Sequence, residues 1–310
     1  MIKVALVGCG YWGKNYLRTL EQIPELKLAW VCNRRPLDKN LTLPPDCKFT
    51  KNYRDILTDE TVQGVIIATP ATTHHTLARQ ALEQGKDVLV EKPLTTNSKE
   101  ALALERLAQK HERVLMVGHI FLFNPALLKL KELMARRELG PINHIYSQRS
   151  GPGPRAKDVD VLWHLAPHDI VIANFLIGQT PLAVTATRAG VDAVTATLQY
   201  KTTTVFTYVS WNEPVKTRQT IVVGSKKTAL FDDVAETKLK VYDTADPSQV
   251  SYPPLAASPS PLEQECRHFL DCLRTRKKPL ADGRAGYENV KILEELSRAT
   301  ETTKPRLIKY

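Results

Sequence analysis

The chain has 310 residues, enough for two domains or one large one, and its 43% hydrophobic and 25% charged residues are ordinary for a folded globular protein. Such a composition excludes a disordered, collagen-like or coiled-coil chain, and no apolar run approaches the roughly 20 residues that span a bilayer. The net charge of +10 and pI near 9.3 suit anionic ligands, but Lys and Arg are dispersed rather than gathered into the arm or patch of a nucleic-acid binder.

The first seven residues are apolar but lack the basic segment and cleavage site of a signal peptide, so they read as a buried first strand. Near-continuous Val/Ile/Leu runs predict strands over 3–8, 27–33, 65–69, 88–90 and 114–118, the pattern of strands covered on both faces. Helical patterns fill two of the gaps. One, over 72–84, sets Leu77, Ala78, Ala81 and Leu82 on one face and stops at Gly85. The other, over 98–110, is opened by Asn97 with Glu100 and turns Leu104 and Leu107 inward. This alternation is that of βαβ units around a parallel sheet.

From about residue 120 the pattern changes. Strand-like stretches over 142–149, 182–188, 193–200, 204–211, 218–223 and 238–242 follow one another, which predicts a largely antiparallel sheet with a helix over 163–176 packed on it. Ser260-Pro261-Leu262-Glu263 is a helix start, with Leu262, Cys266, Phe269 and Leu273 as the buried stripe. The five cysteines, Cys9, Cys32, Cys47, Cys266 and Cys272, are odd in number and contain no Cys-x-x-Cys pair, which fits a reducing cytoplasm better than a disulfide framework or zinc site.

Gly8-Cys9-Gly10-Tyr11-Trp12-Gly13 has the G-x-G-x-x-G spacing between a strand and a helix. The first glycine permits the tight turn, the second lets backbone approach a pyrophosphate, and the third lets the helix pack on the strand. The helix N-terminus adds N–H donors and positive dipole for phosphates. About 20 residues on, where an acid reads the ribose of NAD, stand Asn33, Arg34 and Arg35. Loss of the carboxylate and gain of two guanidiniums favour NADP over NAD. The expected fold is α/β. A Rossmann doubly wound parallel sheet over 1–120 precedes an α+β substrate-binding and oligomerisation domain with an open, mainly antiparallel sheet over 121–310, whose last residues are free to pack back on the first.

Glu91-Lys92-Pro93 follows a strand. With the glycine turn, Ala68-Thr69-Pro70 and His74-His75, it resembles the Gfo/Idh/MocA family of sugar oxidoreductases. The segments Val117-Gly118-His119, 158–169, 211–218 and Val223-Gly224-Ser225-Lys226 resemble a subgroup tied to polysaccharide and sugar-nucleotide metabolism. The resemblance implies a dinucleotide held by Tyr11, Trp12, Thr69, Pro70, His74, Glu91 and Lys92 together with the glycines and Asn33, Arg34 and Arg35. It makes Lys92 the group that exchanges a proton with the reacting sugar oxygen as hydride moves. In Trp163-His164-Leu165-Ala166-Pro167-His168-Asp169, His168 falls on the family's acid–base histidine, while His164 stands where the family has aspartate. His164, His168 and Lys92 are the candidate catalytic and substrate-binding groups. Arg149 and Arg155, the latter in the loop Gly151-Pro152-Gly153-Pro154-Arg155, are candidates to hold a substrate phosphate or carboxylate.

Trp211 and Lys216 read as sheet packing and its solvated edge, and no third ligand joins the two histidines for a metal. The reading is a cytoplasmic NADP- or NAD-dependent oxidoreductase of a sugar or nucleotide sugar. By family resemblance it forms a homodimer or homotetramer, with neither nucleic acid nor membrane as partner. Its rivals are an NAD-linked dehydrogenase of a cyclic polyol or amino sugar, and a sensor or scaffold that kept the dinucleotide domain and lost catalysis, which His164 would suit.

Overall fold

Five of the six residues of the first strand, β1 (Ile2–Val7), are buried, all but Lys3, as a largely apolar strand covered on both faces requires. The computed structural model, which describes residues 1–153, 155–302 and 306–310, carries this strand into a six-stranded sheet. After β1 come α1 (Gly13–Leu20), β2 (Leu26–Cys32), β3 (Lys48–Thr50), α2 (Tyr53–Leu57), β4 (Gly64–Ile67), α3 (His74–Glu83), β5 (Asp87–Glu91), α4 (Ser98–Lys110) and β6 (Leu115–Gly118). The order is β3-β2-β1-β4-β5-β6 with every pair parallel. The winding reverses between β1 and β4, and open sheets of this kind bind ligands outside the carboxyl ends of the strands at that point.

The predicted strand ends shift by a residue or two. The helix expected over 72–84 opens with a 3₁₀ turn at Ala71–Thr73 before α3 starts at His74. Leu77 and Leu107 are only half-buried, because the inward stripes are His74, Ala78, Ala81 and Leu82 on α3 and Ala101, Leu104 and Ala108 on α4. Asn97 caps α4 by accepting from the N–H groups of Lys99 and Glu100.

The second sheet is built by α5 (Pro125–Ala135), β7 (Ile142–Ser150), α6 (Val161–Ile177), β8 (Ala183–Ala189), β9 (Ala193–Gln199), β10 (Thr204–Ser210), β11 (Thr217–Gly224), β12 (Lys227–Asp232), β13 (Leu239–Asp243) and β14 (Val250–Ser251). The chain then runs through α7 (Pro261–Thr275) and α8 (Gly283–Ala299) to β15 (Arg306–Leu307). Nine strands lie in the order β14-β13-β12-β11-β7-β10-β9-β8-β15, antiparallel throughout except for β7 and β10. Alternation sets the buried face: Val205, Thr207 and Val209 of β10 point inward while Phe206 is exposed. Helix α6 covers that face across β7, β9 and β10.

The chain separates into two compact units, Met1–Ile120 with Pro259–Tyr287, and Phe121–Ser258 with Glu288–Tyr310. A division into 1–120 and 121–310 therefore needs correction: the returning segment is 259–287, and the last residues stay with the second unit. The cause is the stripe on α7. Phe269 and Leu273 sit so close to Gly64 of β4 that a Cβ there would lie 3.0 Å from Leu273 Cδ2, and Arg276 forks onto Asp87 of β5 at 2.8 and 3.0 Å. Ser260 caps α7 by accepting from the Glu263 N–H, with Pro261 at the first helical position.

Candidate active site

The turn after β1 requires its glycines. Gly8 has φ +92°, and a Cβ there would lie 2.6 Å from the Ala68 carbonyl oxygen; one on Gly13 would lie 2.0 Å from the Gly8 oxygen. At Gly10 an added Cβ would meet nothing within 4 Å, so its bare backbone faces open space at the carboxyl end of β1. Helix α1 begins there with no acid in its first turn, so the turn fits a pyrophosphate: free N–H donors, positive dipole and room for close approach. Asn33 ties this turn to the segment after β2. Its Oδ1 accepts from the Cys9 N–H at 3.1 Å and its Nδ2 donates to the Arg35 carbonyl at 2.9 Å. Tyr11, Arg34 and Arg35 are exposed, and Asp38 is held by Lys14 at 2.8 Å, which pulls its carboxyl below the ordinary range.

Glu91 ends β5, Lys92 is half-buried beyond it, and the Lys92–Pro93 peptide is cis. The Glu91 carboxylate receives three donors: the Trp12 indole N–H and the Tyr16 hydroxyl (2.8 Å) on Oε1, and the Lys92 backbone N–H (3.1 Å) on Oε2. Motif and phosphate turn are thus fastened to each other through Trp12. Thr69 bonds Thr73 at 2.7 Å, and Thr73 bonds the Pro70 carbonyl, closing the turn that follows β4.

His74 is 1% exposed, with Nδ1 2.8 Å from the Pro93 carbonyl and Nε2 2.9 Å from the Thr69 carbonyl, so its ring ties the loop after β4 to the loop after β5.

One residue that the sequence offers only as part of a subgroup segment, His119, was given no role in the site. The register pairs Glu91 with Gly118, so His119 follows the end of β6 beside Lys92. It is 1% exposed, and neither ring nitrogen has a hydrogen-bond partner among the described residues. Burial, then the Lys92 charge, pushes its imidazole down to about 3. The signal was its place one residue past a strand end next to the Glu-Lys-Pro strand.

In the second unit, α6 is capped by Asp160, which accepts from the Trp163 N–H, and it carries His164 and His168 one turn apart. The Trp211 indole donates to His164 Nδ1 at 3.1 Å, which makes Nδ1 the acceptor of that ring; Trp211 therefore does more than pack the sheet. His168 meets the edge of Phe121, with ring centroids 5.0 Å apart.

Arg149 is 4% exposed and forks onto Asp169 at 3.2 Å through both Nε and Nη2, stacked 4.3 Å over Phe121, which spends two of its N–H donors on that carboxylate. Burial pushes the Asp169 carboxyl up from its ordinary range while Arg149 pulls it back. Arg155 is exposed and bonds Asp192 and Asn212 at 3.1 Å each; Pro154 of its loop lies outside the described residues.

A cleft of about 720 Å³ in the first unit, lined by Arg113, Arg276, Lys277 and Lys278 among others, lies at the amino ends of β5 and β6, away from Lys92. Arg276 is already paired with Asp87 and Lys278 with Asp282. Among the described residues no group of three or more His, Cys, Asp or Glu could hold a metal, and no helix is long and apolar enough to cross a membrane.

Residues 2–119 match the oxidoreductase family with an NAD-binding Rossmann fold, and residues 127–230 match the Gfo/Idh/MocA C-terminal domain. UDP-N-acetylglucosamine 3-dehydrogenase of Acidithiobacillus ferrooxidans is 37% identical over 195 residues, 63% of this chain and 59% of that protein. Inositol 2-dehydrogenase 2 of Saccharopolyspora erythraea is 26% identical over 60% of this chain and 56% of its own. The matches thus span somewhat over half the length of these curated relatives. A solved structure named as an oxidoreductase from Magnetospirillum magnetotacticum MS-1 is 30% identical, covers 95% of this chain and 99% of its own, and superimposes with a TM-score of 0.86. With the glycine turn, the Glu-Lys-Pro strand end and the open second sheet in place, the chain belongs to the Gfo/Idh/MocA oxidoreductase family.

Proposed function

We propose that the protein is a cytoplasmic oxidoreductase that interconverts a ring alcohol and ketone of a sugar or nucleotide sugar, with NADP preferred over NAD. The observation that carries this is Lys92, set by the anion Glu91 at the carboxyl end of β5, on the sheet whose first turn fits a pyrophosphate. A bound nicotinamide would supply the hydride acceptor or donor. The chain's own part is the proton: Lys92 Nζ takes it from the carbinol oxygen in oxidation and returns it in reduction. His168 binds the sugar and assists that transfer, and His164 keeps His168 company on the same helical face with its Nδ1 fixed by Trp211.

Asn33 supports the NADP preference. Its side chain is spent on the Cys9 N–H and the Arg35 carbonyl, and it carries no charge to repel a 2′-phosphate. Asp38 is paired with Lys14, and Arg34 and Arg35 are exposed. Nucleotide sugars are the favoured substrate class because the 37% identical relative is named for one. Cyclic polyols are the second reading, supported by the inositol dehydrogenase at 26%.

The test is turnover with a panel of nucleotide sugars and polyols, in both directions and with both dinucleotides, alongside Lys92→Ala. Lys92→Ala should lose turnover by 10²-fold or more, on the order of a general acid–base contribution, while dinucleotide binding persists. Parent-level turnover in the variant would remove Lys92 from the chemistry.

A further inference from the structure

Two carboxyl groups share one buried phenol in the first unit. Tyr16 on α1 places its hydroxyl 2.8 Å from Glu91 Oε1 and 3.0 Å from Glu265 Oε1 on α7. Tyr16 and Glu265 are both 0% exposed, whereas Glu91 is half-buried at the strand end. A phenol has one hydrogen, so it can donate along only one of these lines; the other contact needs a proton from a carboxyl group.

The donors decide where that proton sits. Burial pushes the Glu91 carboxyl up, but it already receives hydrogens from Trp12 and the Lys92 backbone, neither of which can accept, and the Lys92 charge stands beside it. These favour the ionised form, with the Tyr16 hydrogen as its third. Glu265 has no Lys or Arg within ion-pair distance among the described residues, and its Oε2 has no hydrogen-bond partner. Charged, it would be a bare buried anion beside a second anion, the costliest arrangement available to it.

We infer that Glu265 is a neutral carboxylic acid which donates to the Tyr16 oxygen, so that Tyr16 donates to Glu91 and a single negative charge stands beside Lys92. The charged and titratable groups around this chain are Lys92 and Glu91 at the end of β5, Tyr16 of α1, Cys266 of α7, and His119 after β6, which faces Lys92. Burial, then the Glu91 charge, holds the Glu265 carboxyl well above its ordinary range.

Hydrogen bonds in a chain polarise one another, so the acid at the far end strengthens the Tyr16 bond to Glu91. Glu265 is therefore a positioning residue. It keeps Glu91 anionic, and Glu91 in turn favours the ammonium form of Lys92. The value of this to catalysis rests on the function proposed above; the protonation state does not.

Two measurements on the full-length protein, neither needing substrate, test it. Infrared spectroscopy in D₂O at neutral pH should show the carbonyl stretch of a protonated carboxylic acid. That band should vanish in Glu265→Gln and move to higher frequency in Tyr16→Phe, where its acceptor is gone. A parent spectrum without the band, or a band that survives Glu265→Gln, overturns the inference.

The second measurement is the pH dependence of Lys92 acylation by an activated ester, followed by mass spectrometry. Glu91→Gln should move the Lys92 titration down by about one unit or more, since an adjacent anion is removed. Glu265→Leu should move it in the same direction by less, and Glu265→Gln, which keeps a donor to Tyr16, should restore the parent curve. Coincident curves for the Leu and Gln variants overturn the positioning role. Absence of turnover in the substrate panel would sink the proposed function alone.

Discussion

The Arg149–Asp169 pair is the buried charge on which the second unit depends most visibly. The guanidinium and carboxylate meet through two bonds of 3.2 Å, with 5% and 1% of their side chains exposed, and the arginine lies flat over Phe121. Asp169→Asn keeps the shape but leaves the guanidinium charged and unpaired in the core. Breaking such a pair costs about 3–5 kcal/mol. At about 2–4 °C per kcal/mol for a domain of this size, the unfolding midpoint of the second unit should fall by roughly 6–20 °C. Scanning calorimetry, with the fluorescence of Trp163 and Trp211 as the local report, measures it. The double replacement Arg149→Met with Asp169→Leu leaves no charge behind and should regain most of the loss. A fall of less than about 2 °C in Asp169→Asn would show that water or a rearranged partner reaches the guanidinium, and the reasoning would fail.

Arg34→Ala should weaken NADP binding about tenfold while leaving NAD nearly unchanged, measured by fluorescence titration of both dinucleotides; equal losses would place Arg34 away from the 2′-phosphate. His164→Asp offers Trp211 another acceptor and adds a negative charge one turn from His168. The acid limb of the pH–rate profile should therefore rise by about one unit, and superimposable profiles would remove His164 from the reacting network. Glu265 has its folded-state pKa raised, so its contribution to stability is complete below the unfolded carboxyl pKa and declines as pH climbs toward the folded value. Denaturation midpoints should then show Glu265→Gln gaining on the parent by about 1.4 kcal/mol per pH unit between pH 5 and 7, and parallel curves would contradict a proton held there.

Most of the first sheet was readable because its longer strands are rich in Val, Ile and Leu and its turn is punctuated by glycines that backbone geometry demands at positions 8 and 13. The helices Pro125–Ala135 and Gly283–Ala299 were long enough to read but were not singled out; the other missed elements were short. Lys48–Thr50 and Tyr53–Leu57 are too brief to show a period, and Lys227–Asp232 mixes polar and apolar residues in a way that resembles a loop.

The candidate site divides likewise. Lys92 stood in a recognisable motif. The fate of Arg149 depended on Asp169, which is twenty residues away along the chain, and that of His74 on carbonyls of two separate loops. The chain from Glu91 through Tyr16 to Glu265 joins residues up to 249 positions apart, a relation no local pattern encodes.

The return of Pro259–Tyr287 to the first unit bears on how the protein is made. A ribosome delivers the six strands early but the helix bearing Phe269 and Leu273 only after the first long segment of the second unit has emerged, a delay on the order of ten seconds. Through that interval the nascent sheet lacks the apolar cover over Gly64, and Asp87 lacks the guanidinium of Arg276. Vectorial folding is thereby denied to the dinucleotide-binding half, which can be sealed only once translation is nearly finished. A fragment cut at residue 120 would keep the same surface exposed permanently.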